Sequence, residues 1–104
     1  MLITSTNYID GKKLEILGLV TGSTVQSKHM GRDIAAGLKN MIGGELRGYT
    51  EMLEDARKEA TSRMVAAATA LEADAIVAVL FSSSTVAQGA AEILAYGTAV
   101  KFKN

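Results

Sequence analysis

The stretch Gly43-Gly44-Glu45-Leu46-Arg47-Gly48-Tyr49-Thr50-Glu51-Met52-Leu53-Glu54-Asp55-Ala56-Arg57 decides the fold, because a diglycine feeds directly into apolar residues at helical spacing. From Glu45 to about Glu72, Leu46, Tyr49, Leu53, Ala56, Ala60, Met64, Ala67 and Leu71 step by three or four, which is the period of one buried helical stripe. The opposite face is charged. Glu54 and Lys58, and Glu59 and Arg63, stand four apart with the acid first, the favourable order. Between Met64 and Leu71 the polar face almost disappears, as in a helix buried on two sides. About 28 residues at ~1.5 Å each make a rod of about 42 Å. A compact chain of 104 residues would be about 33 Å across, so the helix is expected to overhang its own domain.

Upstream of the diglycine, Ile34, Leu38 and Met41 recur at helical spacing in a short first helix over Asp33 to Ile42. Asp33 complements its first turn and Gly43-Gly44 ends it. Before that, Leu14 to Gln26 alternates as a strand. Leu14, Ile16, Val20 and Thr24 fall on one face and Leu17, Leu19, Thr21, Ser23 and Val25 on the other. Gly18 and Gly22 predict a bulge or a close backbone approach, and hence a curved strand. Leu2 to Ser5 reads as a first strand, followed by an Asp10-Gly11 turn. Downstream, Ala75 to Phe81 and Glu92 to Phe102 read as two more strands joined by a polar loop. The order strand-strand-helix-helix-strand-strand, without internal repeat or linker, predicts one α+β domain over residues 1–104.

Composition bounds the function. Eleven basic and eleven acidic side chains cancel, so no global field favours nucleic acid or an anionic membrane, and neither is expected as a partner. The chain has no cysteine, which removes disulfides and thiolate ligands and suits a reducing compartment. The first residues lack the pattern of a signal peptide, and no apolar run reaches the ~18 residues of a spanning helix. A cytoplasmic location is expected.

Four segments carry a family resemblance: Asp33 to Leu38, Gly43-Gly44-Glu45 with Tyr49-Thr50, Ala56-Arg57 through Ala60, and Glu92 to Val100. Together they resemble the YbjQ-like family, which is uncharacterised or described as heavy-metal-binding, over nearly the whole chain. The resemblance implies an α+β subunit with a curved antiparallel sheet against the long helix, assembling as a homo-oligomeric ring, a pentamer. Two departures stand out. Glu72-Ala73-Asp74-Ala75 replaces a Gly-Ala-Asn-Ala turn, so a helix cap that favours glycine carries glutamate, and that helix end is expected to differ locally. Leu80-Phe81-Ser82 replaces an Arg-Phe-Asp sequence, which removes an ion pair or anion contact.

The candidate site residues are few. His29 is the only histidine. With Asp33 and Glu45 it forms the available metal set, although one imidazole and unpatterned carboxylates fall short of a closed transition-metal site. Glu51, Glu54, Asp55 and Glu59 follow a solvated helix face interleaved with Lys58 and Arg63. Ser82-Ser83-Ser84-Thr85 with Gln88-Gly89 reads as a hydroxyl-rich loop, and Ser82, Ser84 and Gln88 could hold an anion or a sugar-like ligand. Tyr49 could stack on a planar ligand, but Tyr49 and Tyr96 are both placed in the core. No serine has a partner base, no glycine lies in a phosphate-loop pattern, and no catalytic residue or cofactor is identified. The reading that results is a non-enzymatic ring-forming homo-oligomer binding a small ligand or partner at subunit interfaces. Its alternatives are a metal-binding protein and an enzyme whose site forms between subunits.

Overall fold

Short alternating and apolar runs at both ends of the chain meet in one sheet, and the alanine-rich central run lies across it as a helix. The computed structural model describes residues 1–27, 46–87 and 90–103, with no side-chain description for Ser27 or residues 46–49. Its elements are β1 (Leu2–Ile3), β2 (Lys13–Ser27), α1 (Leu46–Ala70), β3 (Ala75–Ala87) and β4 (Ala90–Lys103). The sheet order is β1-β3-β4-β2. β4 pairs antiparallel with both β2 and β3, and the two-residue β1 adds to β3 in parallel. The α+β class and the curved antiparallel sheet on one long helix are therefore present, with β1 making the sheet mixed. The expected helix over Asp33 to Ile42 and its Gly43-Gly44 end lie outside the described residues.

α1 runs almost as the spacing predicts, but its buried line is tighter. Met52, Ala56, Ala60, Met64 and Ala68 are buried at an unbroken interval of four, with Leu53, Val65 and Ala67 partly covered beside them. Leu71, expected on the stripe, is exposed because the helix has already closed. Alanine at the centre lets the helix backbone settle onto the sheet. A Cβ added at Gly22 would collide with the carbonyl oxygen of Ala60 and the amide nitrogen of Met64. Gly22 is thus the close-approach glycine the sequence pointed to.

The helix closes as a Schellman motif despite the missing glycine. The Ala73 amide donates to Ala68 O at 3.1 Å and the Glu72 amide to Thr69 O at 2.9 Å, while Glu72 takes a φ of 60°. The expected local difference at this end is therefore strain on a glutamate within the ordinary geometry.

Two bulges reshape the strands. In β2 the register steps between Ile16 and Gly18, so Leu17 is an extra residue and the alternation flips there. Val20 joins the helix-side core, and Leu17 packs against its margin. Ile16 pairs with Val100, which belongs to a small second cluster with Ala75 and Val77 on the opposite face. The expectation that Ile16 and Val20 share a face fails for this reason. In β3 the register steps between Val77 and Leu80, where Ala78 has a φ of 55°. The amides of Ala78 and Val79 donate to Thr6 O and Thr4 O at 2.7 and 3.0 Å. The segment after β1 is fastened there, and β3 continues without it.

The third strand is also longer than expected. Ser82 to Ala87 belong to β3 rather than to a loop, because their backbones pair with Ala90 to Leu94 of β4; a ladder of this length overrides the local turn preference of serine. The molecule measures 57 × 23 × 16 Å with a radius of gyration of 16.9 Å, against about 13 Å for a compact chain of this size. A helix of 25 residues spans about 37 Å. The helix does not overhang the protein, because the strands are longer than the helix.

Two stability measurements check this packing. Gly22→Ala should lower the unfolding free energy by about 3 kcal/mol or more in denaturant titration, since backbone and not a flexible side chain stands in the way. Glu72→Gly should raise it by about 0.5–1 kcal/mol by relieving the left-handed strain.

Candidate functional site

The hydroxyl-rich run reaches a cleft at the far end of the sheet. Ser83, Ser84 and Thr85 of β3 and Ala90 and Ala91 of β4 face Met52 and Leu53 of α1 around a cleft of about 340 Å³. The run sits there because β3 holds it in register with β4, with Ser84 opposite Glu92. The Ser84 hydroxyl donates to Glu92 Oε1 at 3.5 Å. Of the sequence candidates, Ser84 borders the cleft, but its hydroxyl, like that of Ser82, lies on the helix-free face of β3, opposite Glu92 and Leu94 respectively; the register puts the hydroxyls of Ser83 and Thr85 on the helix face. Gln88 lies outside the described residues, and of Tyr49 only the helical backbone is described. Met52 and Leu53 were not legible as cleft residues: the spacing marked Leu53 only as part of a buried stripe and left Met52, which is buried, off it. With hydroxyls, methyls and a thioether on its walls, the cleft can hold a small polar ligand; among the described residues lining it, none is a proton-transfer base.

A second, wider cleft of about 650 Å³ lies between α1 and β3, lined by Glu54, Arg57, Lys58, Thr61, Ser62 and Phe81. Glu54 and Lys58 form no ion pair. Glu59 instead pairs with Arg63 at 2.5 Å, and Arg63 Nη1 also donates to the Ser23 carbonyl at 2.5 Å. Gln26 Nε2 donates to Glu59 Oε2 at 3.4 Å, completing a polar strap from α1 to β2. Glu51, Glu54, Asp55 and Glu59 are all exposed, as a solvated face requires. Tyr96, expected in the core, is half-buried on the face of the sheet away from the helix.

His29, Asp33 and Glu45 lie outside the described residues. Among the described residues, no three His, Cys, Asp or Glu side chains gather to hold a metal ion. The thiolates that soft heavy metals favour are missing from the whole sequence. The residues described do not fit a heavy-metal site.

Among the described residues, one helix on one face of a mixed sheet, with a hydroxyl-lined cleft at its end, defines a small α+β protein. The chain belongs to the YbjQ-like family, whose profile, described as "Putative heavy-metal-binding", matches residues 1–103. It is 62% identical over 101 residues to a UPF0145 protein of Hahella chejuensis, covering 96% of this chain and 97% of the relative. It is 56% identical over 104 residues to a UPF0145 protein of Thermotoga maritima, covering 99% and 98%. A crystal structure from Pediococcus pentosaceus, a protein with unknown function of the DUF74 family, shares the fold. The TM-score is 0.72 at 18% identity, over 99% of this chain and 98% of that one. Among the described residues, no helix is long and apolar enough to cross a membrane.

Proposed function

We propose that this protein is a non-enzymatic, ring-forming homo-oligomer of the cytoplasm, a pentamer, that binds a small ligand or partner at its subunit interfaces. The carrying observation is the face of the sheet that α1 does not touch. There Ile16, Leu19 and Leu80 are 72%, 71% and 55% exposed, and Val25 is exposed further along β2, opposite Glu92. Burying one such side chain is worth roughly 1.5–3 kcal/mol, and several large aliphatics exposed on one sheet face support an interaction surface there. Among the described residues, only Ile9 and Leu14 pack with the small cluster on that face, and nothing covers Ile16, Leu19 or Leu80. The hydroxyl cleft, with no lining base, supports binding over catalysis.

Leu19→Glu tests this reading, because Leu19 is exposed within one protomer and its loss leaves the helix-side core intact. Light scattering should show the wild type as a multimer and the variant as a folded monomer with unchanged circular dichroism. A wild-type monomer at micromolar concentration would defeat the proposal.

The family's description favours a second reading, metal binding, which rests on His29, Asp33 and Glu45. A lone imidazole per chain completes a site only where several copies bring theirs together. Zinc titration of the untagged wild type and of His29→Ala, both as assembled protein, is expected to give no submicromolar stoichiometric binding in either. Tight binding to the wild type that disappears in the variant would establish the metal reading.

A further inference from the structure

The two flanks of α1 are finished differently. On the β2 side, Arg63 is held by the Glu59 carboxylate and the Ser23 carbonyl, and Gln26 reaches Glu59 from the strand. On the β3 side, Glu54, Arg57, Lys58 and Thr61 follow one another at the spacing of a single helix face, and with Ser62 and Phe81 they line the cleft of about 650 Å³. From Glu54 to Ser62, no α1 side chain bonds to β3 among the described residues.

Three features meet on this flank. Phe81 pairs with Ala95 of the helix-side core, yet its ring is 49% exposed, because β3 has passed beyond the reach of the helix. Arg57 and Lys58 form no ion pair among the described residues, although Glu54 precedes Lys58 by four residues in the order that favours one. The Thr61 hydroxyl donates to the Arg57 carbonyl at 2.8 Å, which leaves the Ser62 hydroxyl as the donor without a partner among the described residues. An exposed arginine or lysine alone is an ordinary solvated group. Here two of them stand with a half-exposed ring and a hydroxyl around a cleft of ligand size, and these are the groups that recognise a ring carrying an acid.

We propose that this cleft binds a small organic anion with a planar aromatic ring, the ring lying on Phe81 and the acid group meeting Arg57 and Lys58. The site goes beyond the oligomer reading above, because every group it uses belongs to one protomer. Two cations against the single Glu54 carboxylate leave its lining with a surplus of one positive charge, which matches a monoanion. Glu54 accepts from a hydroxyl or amine on the ligand and opposes a second negative charge.

Saturation-transfer NMR of the wild-type protein with naphthoate, naphthylmethanol and acetate separates the ring from the charge. Naphthoate is expected to bind about tenfold more tightly than either of the other two. Phe81→Ala and the double variant Arg57→Gln/Lys58→Gln should each weaken it about fivefold, the scale of one ring contact or of a partly solvated ion pair. Glu54→Gln should instead tighten it about twofold, since it removes a repelling charge. All four side chains are exposed, and circular dichroism checks the fold of each variant. Leu19→Glu, on the other face of the sheet, should bind as the wild type does, assembled or not. Naphthylmethanol or acetate binding as tightly as naphthoate would overturn the proposal. So would the absence of naphthoate binding at millimolar concentration, or binding that survives both Phe81→Ala and the double variant. Loss of binding in a folded Leu19→Glu would overturn a site complete within one protomer and favour ligands held between copies. A wild-type monomer that binds naphthoate would defeat the oligomer reading and leave this site standing.

Discussion

The width of one helix governs this structure. With side chains an α-helix is about 10 Å across, and strands lie about 4.8 Å apart, so a single helix covers roughly two strands. Seated on Gly22 through Ala60 and Met64, α1 covers β2 and β4. β3 then emerges from beneath it after Val79, and the other face of the sheet stays bare beyond the small cluster of Ala75, Val77 and Val100. The close seat is what makes the two layers thin. Larger residues at Ala56, Ala60 or Ala68 would lift the helix, open voids beside Val20 and Ala95, and weaken the contacts that hold the slab together.

That geometry separates what the protein can do alone from what it does in company. Alone, it folds around one helix-side core and exposes Ile16, Leu19 and Leu80 on the other face of its sheet. In the proposed oligomer, the exposed aliphatics of that face are the contact between copies. Function placed at such boundaries needs few specialised groups in any one chain. This accounts for a sequence with balanced charge, one histidine and no cysteine that carries no recognisable reaction chemistry.

Much of the fold was legible because it depends on periodicity. Ala56, Ala60 and Met64 at intervals of four marked one helix face, and Gly18 and Gly22 in an apolar strand marked a bulge or a close neighbour, of which Gly18 adjoins the bulge and Gly22 meets the helix. The bulge at Leu17 was not legible, since one extra residue reverses every assignment beyond it without changing composition. Ser82 to Thr85 read as a loop because serine prefers turns, and only the ladder to β4 reveals a strand. Leu80 and Phe81 looked like the end of a buried strand, whereas their exposure follows from a helix too narrow to reach them. The site was less legible than the fold. The hydroxyl run was found by composition, but which of its residues face the helix depends on the register with β4, while Leu53 carried only the mark of a core stripe and Met52 none.

Hydroxyl-radical footprinting of the wild-type protein at micromolar concentration, read residue by residue, tests most directly whether copies cover the helix-free face. The account predicts that Ile16, Leu19 and Leu80 are labelled as slowly as the buried Ile76 and Val100. Labelling at the rates of open aliphatic side chains, matching their 72%, 71% and 55% exposure in the protomer, would contradict it.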